Sequence, residues 1–129
     1  MLAQARLQTL VLTSDVSRAR TFYSDILGLP LVGQSMGALV YGVGAGELRV
    51  SPVPTTVPTE HTVFGFAVER LDEVLKDLSS KGVSFERHPG LTHDGQGVLT
   101  TPDGSRVAWL RDPDGNLISV VQYAEPPKA

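Results

Sequence analysis

The chain has 129 residues, with eleven Lys or Arg against fourteen Asp or Glu, a net charge of −3, and no Cys. Leu, Val, Ile and Phe make up 38 of them, well above the roughly 20% below which a chain fails to build a core, so a disordered tail is excluded. The charge balance, without any basic block, argues against a duplex nucleic-acid or membrane-surface binder, and the missing Cys excludes disulfides, thiolate zinc sites and a cysteine nucleophile.

In chain order, residues 6–13 are short, apolar and bounded by polar residues, which predicts a strand. Ser14-Asp15 offers an N-cap. Apolar residues at 16, 19, 22, 23, 26 and 27 then follow helical spacing up to Gly28, a C-cap. Strands are predicted at 30–35, 38–43 and 47–53, punctuated by Gly37 and Gly44-Ala45-Gly46. Pro52, Pro54 and Pro58 then remove ladder donors, so residues 54–60 read as a Pro-rich linker.

A second strand–helix pair follows at 62–68 and from Leu71 to Gly82, with Leu71, Val74, Leu75 and Leu78 on one helix face. Further strands are expected at 83–88, 96–101, 105–111 and 117–123. Thr101-Pro102-Asp103-Gly104 and Asp112-Pro113-Asp114-Gly115-Asn116 are turn-forming, because Pro presets φ and Gly supplies positive φ. Leu10-x-Leu12 and Asp15 through Gly28 run parallel to Phe66-x-Val68 and Arg70 through Gly82, within one residue. Residues 6–53 and 61–123 therefore read as two copies of a β-α-β-β-β module in one α+β domain. No stretch is long enough for a signal peptide or a membrane span, so a cytoplasmic location is expected.

Asp15-Val-Ser-Arg-Ala-Arg-Thr-Phe-Tyr-Ser-Asp-Ile-Leu-Gly-Leu29 and Arg111-Asp-Pro-Asp-Gly-Asn-Leu-Ile-Ser119, at the two ends of a duplicated unit, resemble the vicinal oxygen chelate superfamily. That superfamily includes glyoxalase I, extradiol dioxygenases and bleomycin-resistance proteins. The resemblance implies two modules whose sheets curve around a cleft. In metal-using members each half lends two ligands, usually His or Gln with Glu, from its first strand and its last or near-last strand. Here the corresponding positions fall on Gln8, Val63, Ser119 and a residue near Val50 or Ser51. Only Gln8 coordinates well. His61 and Glu47 are candidate replacements, but each stands two residues or more from its expected position, some 7 Å at ~3.3 Å per residue. The expectation is no resident cofactor, with a divalent metal on Gln8, Glu47 and His61 as the alternative.

The predicted cleft is lined by Leu10, Leu12, Val50, Val63, Trp109 and Val121, with Gln8, Ser119 and Tyr123 as polar points. Trp109 is either a stacking wall for a flat ligand or plain core. Tyr41 is another strand residue able to line the cleft, whereas Phe22 and Tyr23 belong to the helix's apolar face and the core. His61 reads as a solvated residue at a strand entrance, and as a general base it would need an orienting partner. His88 and His93, with Asp94, read as exposed loop residues, and Asp112 through Asn116 as a turn rather than a calcium loop.

The favoured function is binding of a small organic ligand, an antibiotic or aromatic metabolite, in the manner of the metal-free bleomycin-resistance type. The alternative is a lyase, isomerase or dioxygenase, either metal-dependent or using His61 and Glu47. The resemblance also implies a homodimer, with modules exchanged between chains or not.

Overall fold

Sheet pairing in each half starts from its first strand. In the computed structural model, which describes residues 1–125, the chain divides into two units. One comprises Met1–Pro58 with Asp112–Asn116; the other comprises Thr59–Arg111 and, of the described residues, 117–125.

In the first unit, β1 (Gln8–Thr13) pairs in parallel with β4 (Gly46–Pro52). That strand pairs antiparallel with β3 (Ala38–Val43), and β3 pairs with β2 (Leu31–Ser35), giving the order β1-β4-β3-β2. The parallel pair is possible because α1 (Val16–Arg20) and the strands after it carry the chain back. Asp15 caps that helix through its carboxylate, which accepts the Arg18 N–H at 3.1 Å. The helix then widens into a π turn over Thr21–Ile26, closed by the Leu27 N–H on the Phe22 carbonyl. Apolar spacing alone reads the same for both helix types, so the sequence predicts one uninterrupted α-helix. Gly28 ends the segment at φ +72°.

Packing is heavier on one face, although β3 also buries Ala38 and Val40 on the side that carries Leu10. Val11, Leu39, Tyr41, Leu48 and Val50 are buried together with Phe22 and Tyr23. Phe22 and Tyr23 meet edge to face at 5.1 Å.

The second unit repeats the order: β5 (Thr62–Ala67), α2 (Leu71–Ser80), then β6 (Leu99–Thr100), β7 (Arg106–Arg111) and β8 (Leu117–Gln122), arranged β5-β8-β7-β6. Helix α2 buries Leu71, Leu75 and Leu78, each contributing about 1.5–3 kcal/mol. Among the described residues no helix is long and apolar enough to cross a membrane.

Two predicted strands are corrected. Residues 83–88 form no strand; a backbone bond to β7 runs from the Glu86 N–H to the Trp109 carbonyl at 2.8 Å. Of 96–101 only Leu99–Thr100 pairs, and the rest is turn. Apolar alternation marks extended backbone, but a ladder also requires a partner in register over several residues. Beyond β6 the edge of β7 meets instead a loop that ties its own turns, with the Asp94 carboxylate accepting the N–H groups of Gln96 and Val98.

Candidate functional site

Strand register decides which predicted residues share a face. In the first unit Gln8, Leu10 and Leu12 stand opposite Glu47, Arg49 and Ser51, while Val11 stands opposite Val50. Neighbours in register point to the same side of a sheet, and successive residues to opposite sides. Val11 and Val50 are buried, whereas Leu10 and Leu12 are 56% and 43% exposed. Val50 is therefore corrected from the predicted cleft to the core, and Ser51 takes the uncovered face. Tyr41 is corrected likewise: it is fully buried, and its hydroxyl bonds to that of Ser24 at 2.8 Å.

Gln8 and Glu47 are direct neighbours. The Gln8 Nε2 donates to the Glu47 Oε2 at 2.7 Å, and Arg6 pairs with the Glu47 Oε1 at 3.2 Å. The carboxylate thus has a cation on one oxygen and an amide on the other. Glu47 nonetheless stays four residues from Ser51 along β4, and Ser51 lies opposite Leu12 rather than Gln8.

The second unit's uncovered face carries Gly65 and Ala67 from β5, Ser119 and Val121 from β8, and Val107 and Trp109 from β7, all by register. Thr62 and Phe64 pair with the consecutive residues Leu117 and Ile118, so Val63 is the extra residue of a bulge and has no register partner. The position beside Ser119 goes to Gly65. A Cβ there would stand 2.1 Å from the Ser119 Oγ, so only glycine leaves room for the hydroxyl. Tyr123 follows the end of β8 and is half exposed, and His61 is exposed just before β5.

Trp109 is braced on several sides. Its indole N–H donates to the Thr62 hydroxyl at 3.2 Å, the His88 ring meets it edge-on at 4.6 Å, and the His93 ring lies 6.0 Å away. The Nδ1 of His93 lies 2.8 Å from the Gly97 carbonyl, and its Nε2 accepts the His88 backbone N–H at 3.1 Å. That pairing demands a neutral ring with its proton on Nδ1. Both ring nitrogens are engaged, so His93 orients its neighbours. The expectation of simply exposed histidines is corrected here: both rings are half-buried against Trp109. No local sequence signal could show this, since Trp109 is 16 residues or more away. Asp94 makes no pair with His93; the Val98 N–H chiefly holds its carboxyl below the usual range, against the opposing effect of burial.

The Asp112 turn does more than reverse the chain. Asp112 accepts the hydroxyl of buried Tyr23 at 2.6 Å, the Asn116 amide at 2.7 Å and the backbone N–H groups of Asp114 and Asn116. Burial, then the Asp112 charge, drives the Tyr23 phenol far above its ordinary range, so Tyr23 is the fixed donor. Asn116 donates to the Leu12 carbonyl, and Asp114 accepts from Ser14 and Thr56. These residues hold backbone and neighbouring hydroxyls in place.

A divalent ion of the kind the fold family uses would need several strong donors from these faces. The first face supplies Gln8 and a Glu47 already engaged by Arg6; the second supplies a serine hydroxyl beside a glycine. Among the described residues no group of three His, Asp or Glu side chains is placed to hold a metal. Neither face taken by itself presents the donor set that such an ion requires.

Residues 6–120 match the family model described as Glyoxalase/Bleomycin resistance protein/Dioxygenase superfamily. The virulence protein STM3117 of Salmonella typhimurium is 28% identical over 127 residues, covering 92% of this chain and 84% of that protein. The uncharacterized protein YraH of Bacillus subtilis is 29% identical over 129 residues, covering 88% and 94%. Among solved structures, a lactoylglutathione lyase from Agrobacterium tumefaciens superposes with a TM-score of 0.71 at 19% identity, over 92% of this chain and 93% of that one. The STM3117 structure gives 0.68 at 22% identity, over 96% and 100%.

Proposed function

The chain belongs to the glyoxalase/bleomycin resistance protein/dioxygenase superfamily, and from that premise we propose that it binds a small planar organic molecule without a resident metal. The observation that carries this reading is the braced Trp109. An indole fixed by Thr62, His88 and His93 on an uncovered sheet face is a preorganised stacking wall, and little side-chain entropy remains to be lost when a flat ligand docks. Ser119 beside it offers a hydroxyl, and Val121 an apolar contact on the same face. On the first unit, exposed Leu10 and Leu12 with the Gln8–Glu47 pair give the same mixture of apolar surface and a few polar points. The donor chemistry of both faces supports binding over a metal-assisted lyase or dioxygenase reaction.

Titration with bleomycin and with 2-naphthoate, read by the emission of the one tryptophan, tests the proposal. The expected result is a saturable change, with affinity weakened by about 1–3 kcal/mol in Trp109→Ala. Equal affinity in that variant, measured by calorimetry, takes the ligand off this wall and overturns the reading. Elemental analysis tests the other half: stoichiometric Zn, Ni, Mn or Fe in the purified protein defeats the metal-free site. The same reading makes the protein a homodimer. Light scattering at micromolar concentration that returned the monomer mass of 13.8 kDa would remove that part.

A further inference from the structure

An open pocket of about 640 Å³ lies in the second unit, between α2 and the loop that replaces the expected strands. One wall is a single stripe of α2: Asp72, Leu75, Lys76 and Ser79, at i, i+3, i+4 and i+7. Facing them are Phe85, Arg87 and the segment around Gln96. The pocket is separate from the Trp109 face. Helix α2 is tied by the Leu71 N–H to the side chain of Gln122, which alternates away from Ser119 and Val121.

Its chemistry is uneven. Leu75 and Phe85 supply apolar surface. Gly97, at φ +88°, lets the loop close on Phe85, whose Cβ would lie only 3.0 Å from a Cβ at that position. Asp72 is neutralised by Arg106 at 2.8 Å. The nearby Asp94 carboxylate accepts the Gln96 and Val98 N–H groups through one oxygen, at 2.8 and 2.9 Å, and its charge is partly offset by Arg106 as well as by Arg87.

The two cations remain. Arg87 is held in place by one bond from its Nη2 to the Asp94 carbonyl at 2.8 Å, which leaves other guanidinium N–H groups to donate. Lys76 has no partner among the described residues. The hydroxyls of Ser79 and Ser84 and the Gln96 amide add neutral hydrogen-bonding groups. A volume of this size accommodates a small organic molecule.

We propose that this pocket is a second ligand site, which takes a small aromatic anion with its ring on Leu75 and Phe85 and its carboxylate or phosphate between Lys76 and Arg87. It goes beyond the reading of the Trp109 face and does not depend on it. An anchored guanidinium with a lysine beside it provides charge-assisted bonds, and these are the strong ones for such head groups.

Amide chemical-shift titration of the whole chain with phenyl phosphate tests the site, with benzoate, inorganic phosphate and benzyl alcohol as companions. Phenyl phosphate is expected to shift the amides of Lys76, Ser79, Phe85 and Gln96, and the combined Lys76→Glu and Arg87→Glu changes to weaken it about tenfold or more. Benzoate binding as well assigns the site to the anionic head on a ring, and a tighter phenyl phosphate marks a phosphate preference. Benzyl alcohol should leave these amides unmoved, and inorganic phosphate should bind more weakly than phenyl phosphate. If the double variant does not fold, Lys76→Gln on the exposed helix surface should still weaken binding severalfold. Shifts confined to Trp109 and Ser119, equal binding of benzyl alcohol, or unchanged affinity in the charge variants would overturn the proposal. The Trp109→Ala variant should retain this site, so its failure and that of the stacking wall are separately visible.

Discussion

The two units share a strand order but differ at the same three places. The first has a five-residue edge strand, β2, where the second has the two-residue β6 and a long loop. The first joins β3 to β4 through Gly44-Ala45, while the second joins β7 to β8 through Asp112–Asn116, with its buried carboxylate. On the uncovered faces, Gln8 beside Glu47 in the first unit stands against Gly65 beside Ser119 in the second. Backbone ladders require only extended strands in register, so a repeated topology survives large side-chain change. Uncovered faces and edges carry no such demand, and that is where the halves part company.

The largest effect is expected where the second connection departs from the first. Asp112→Ala removes the acceptor of the Tyr23 hydroxyl and of the Asn116 amide, both buried. A loss of about 3 kcal/mol or more in urea unfolding is expected, with Tyr23→Phe costing roughly half of that. A loss under 1 kcal/mol for Asp112→Ala would make the long turn as dispensable as Gly44-Ala45.

Next comes the contrast between the uncovered faces. Gly65→Ala puts a Cβ 2.1 Å from the Ser119 Oγ and 3.1 Å from its carbonyl oxygen, and should cost about 1–3 kcal/mol. Adding Ser119→Gly should restore only part, because the carbonyl remains. In the first unit, Gln8→Ala on its exposed face should stay within about 0.5–1 kcal/mol. Equal thermal shifts from the two substitutions would erase the distinction.

A smaller effect, read by pH, lies in the Asp112–Asn116 connection. Burial opposes the charge on Asp114, but hydrogen bonds from Thr56 and from the Ser14 N–H and hydroxyl help hold its pKa below the ordinary carboxylate value of 3.8. A carboxylate lowered in the folded state binds fewer protons there than in the unfolded chain. Its contribution is complete above pH 3.8 and is lost as the pH falls through the folded value. Asp114→Asn should therefore flatten the acid side of a stability–pH curve; an unchanged slope would remove Asp114 from the account. The smallest expectation concerns Glu47→Gln, which loses the exposed Arg6 ion pair yet keeps an acceptor for Gln8. Its unfolding free energy should change by about 1 kcal/mol or less.

The sequence by itself determined the repeated β-α-β-β-β order, because each element there is set locally. Asp15 caps its own helix, Gly28 and Gly82 stop helices at φ +72° and +89°, and the 101–104 and 112–116 turns follow from Pro and Gly within five residues. Apolar spacing likewise marked Tyr23 and the α2 leucines as core. What only the tertiary structure decided depends on residues distant in the chain. Parallel register set Gln8 against Glu47, 39 positions away, and turned Val50 inward. A bulge at Val63 gave Gly65 the place beside Ser119, and the failed 83–88 strand brought His88 onto Trp109 and opened the pocket by α2. Composition and periodicity record which way a segment alternates, not which partner strand it meets or at what offset. A one-residue offset moves every side chain to the other face, which is why the elements were legible and the sites were not.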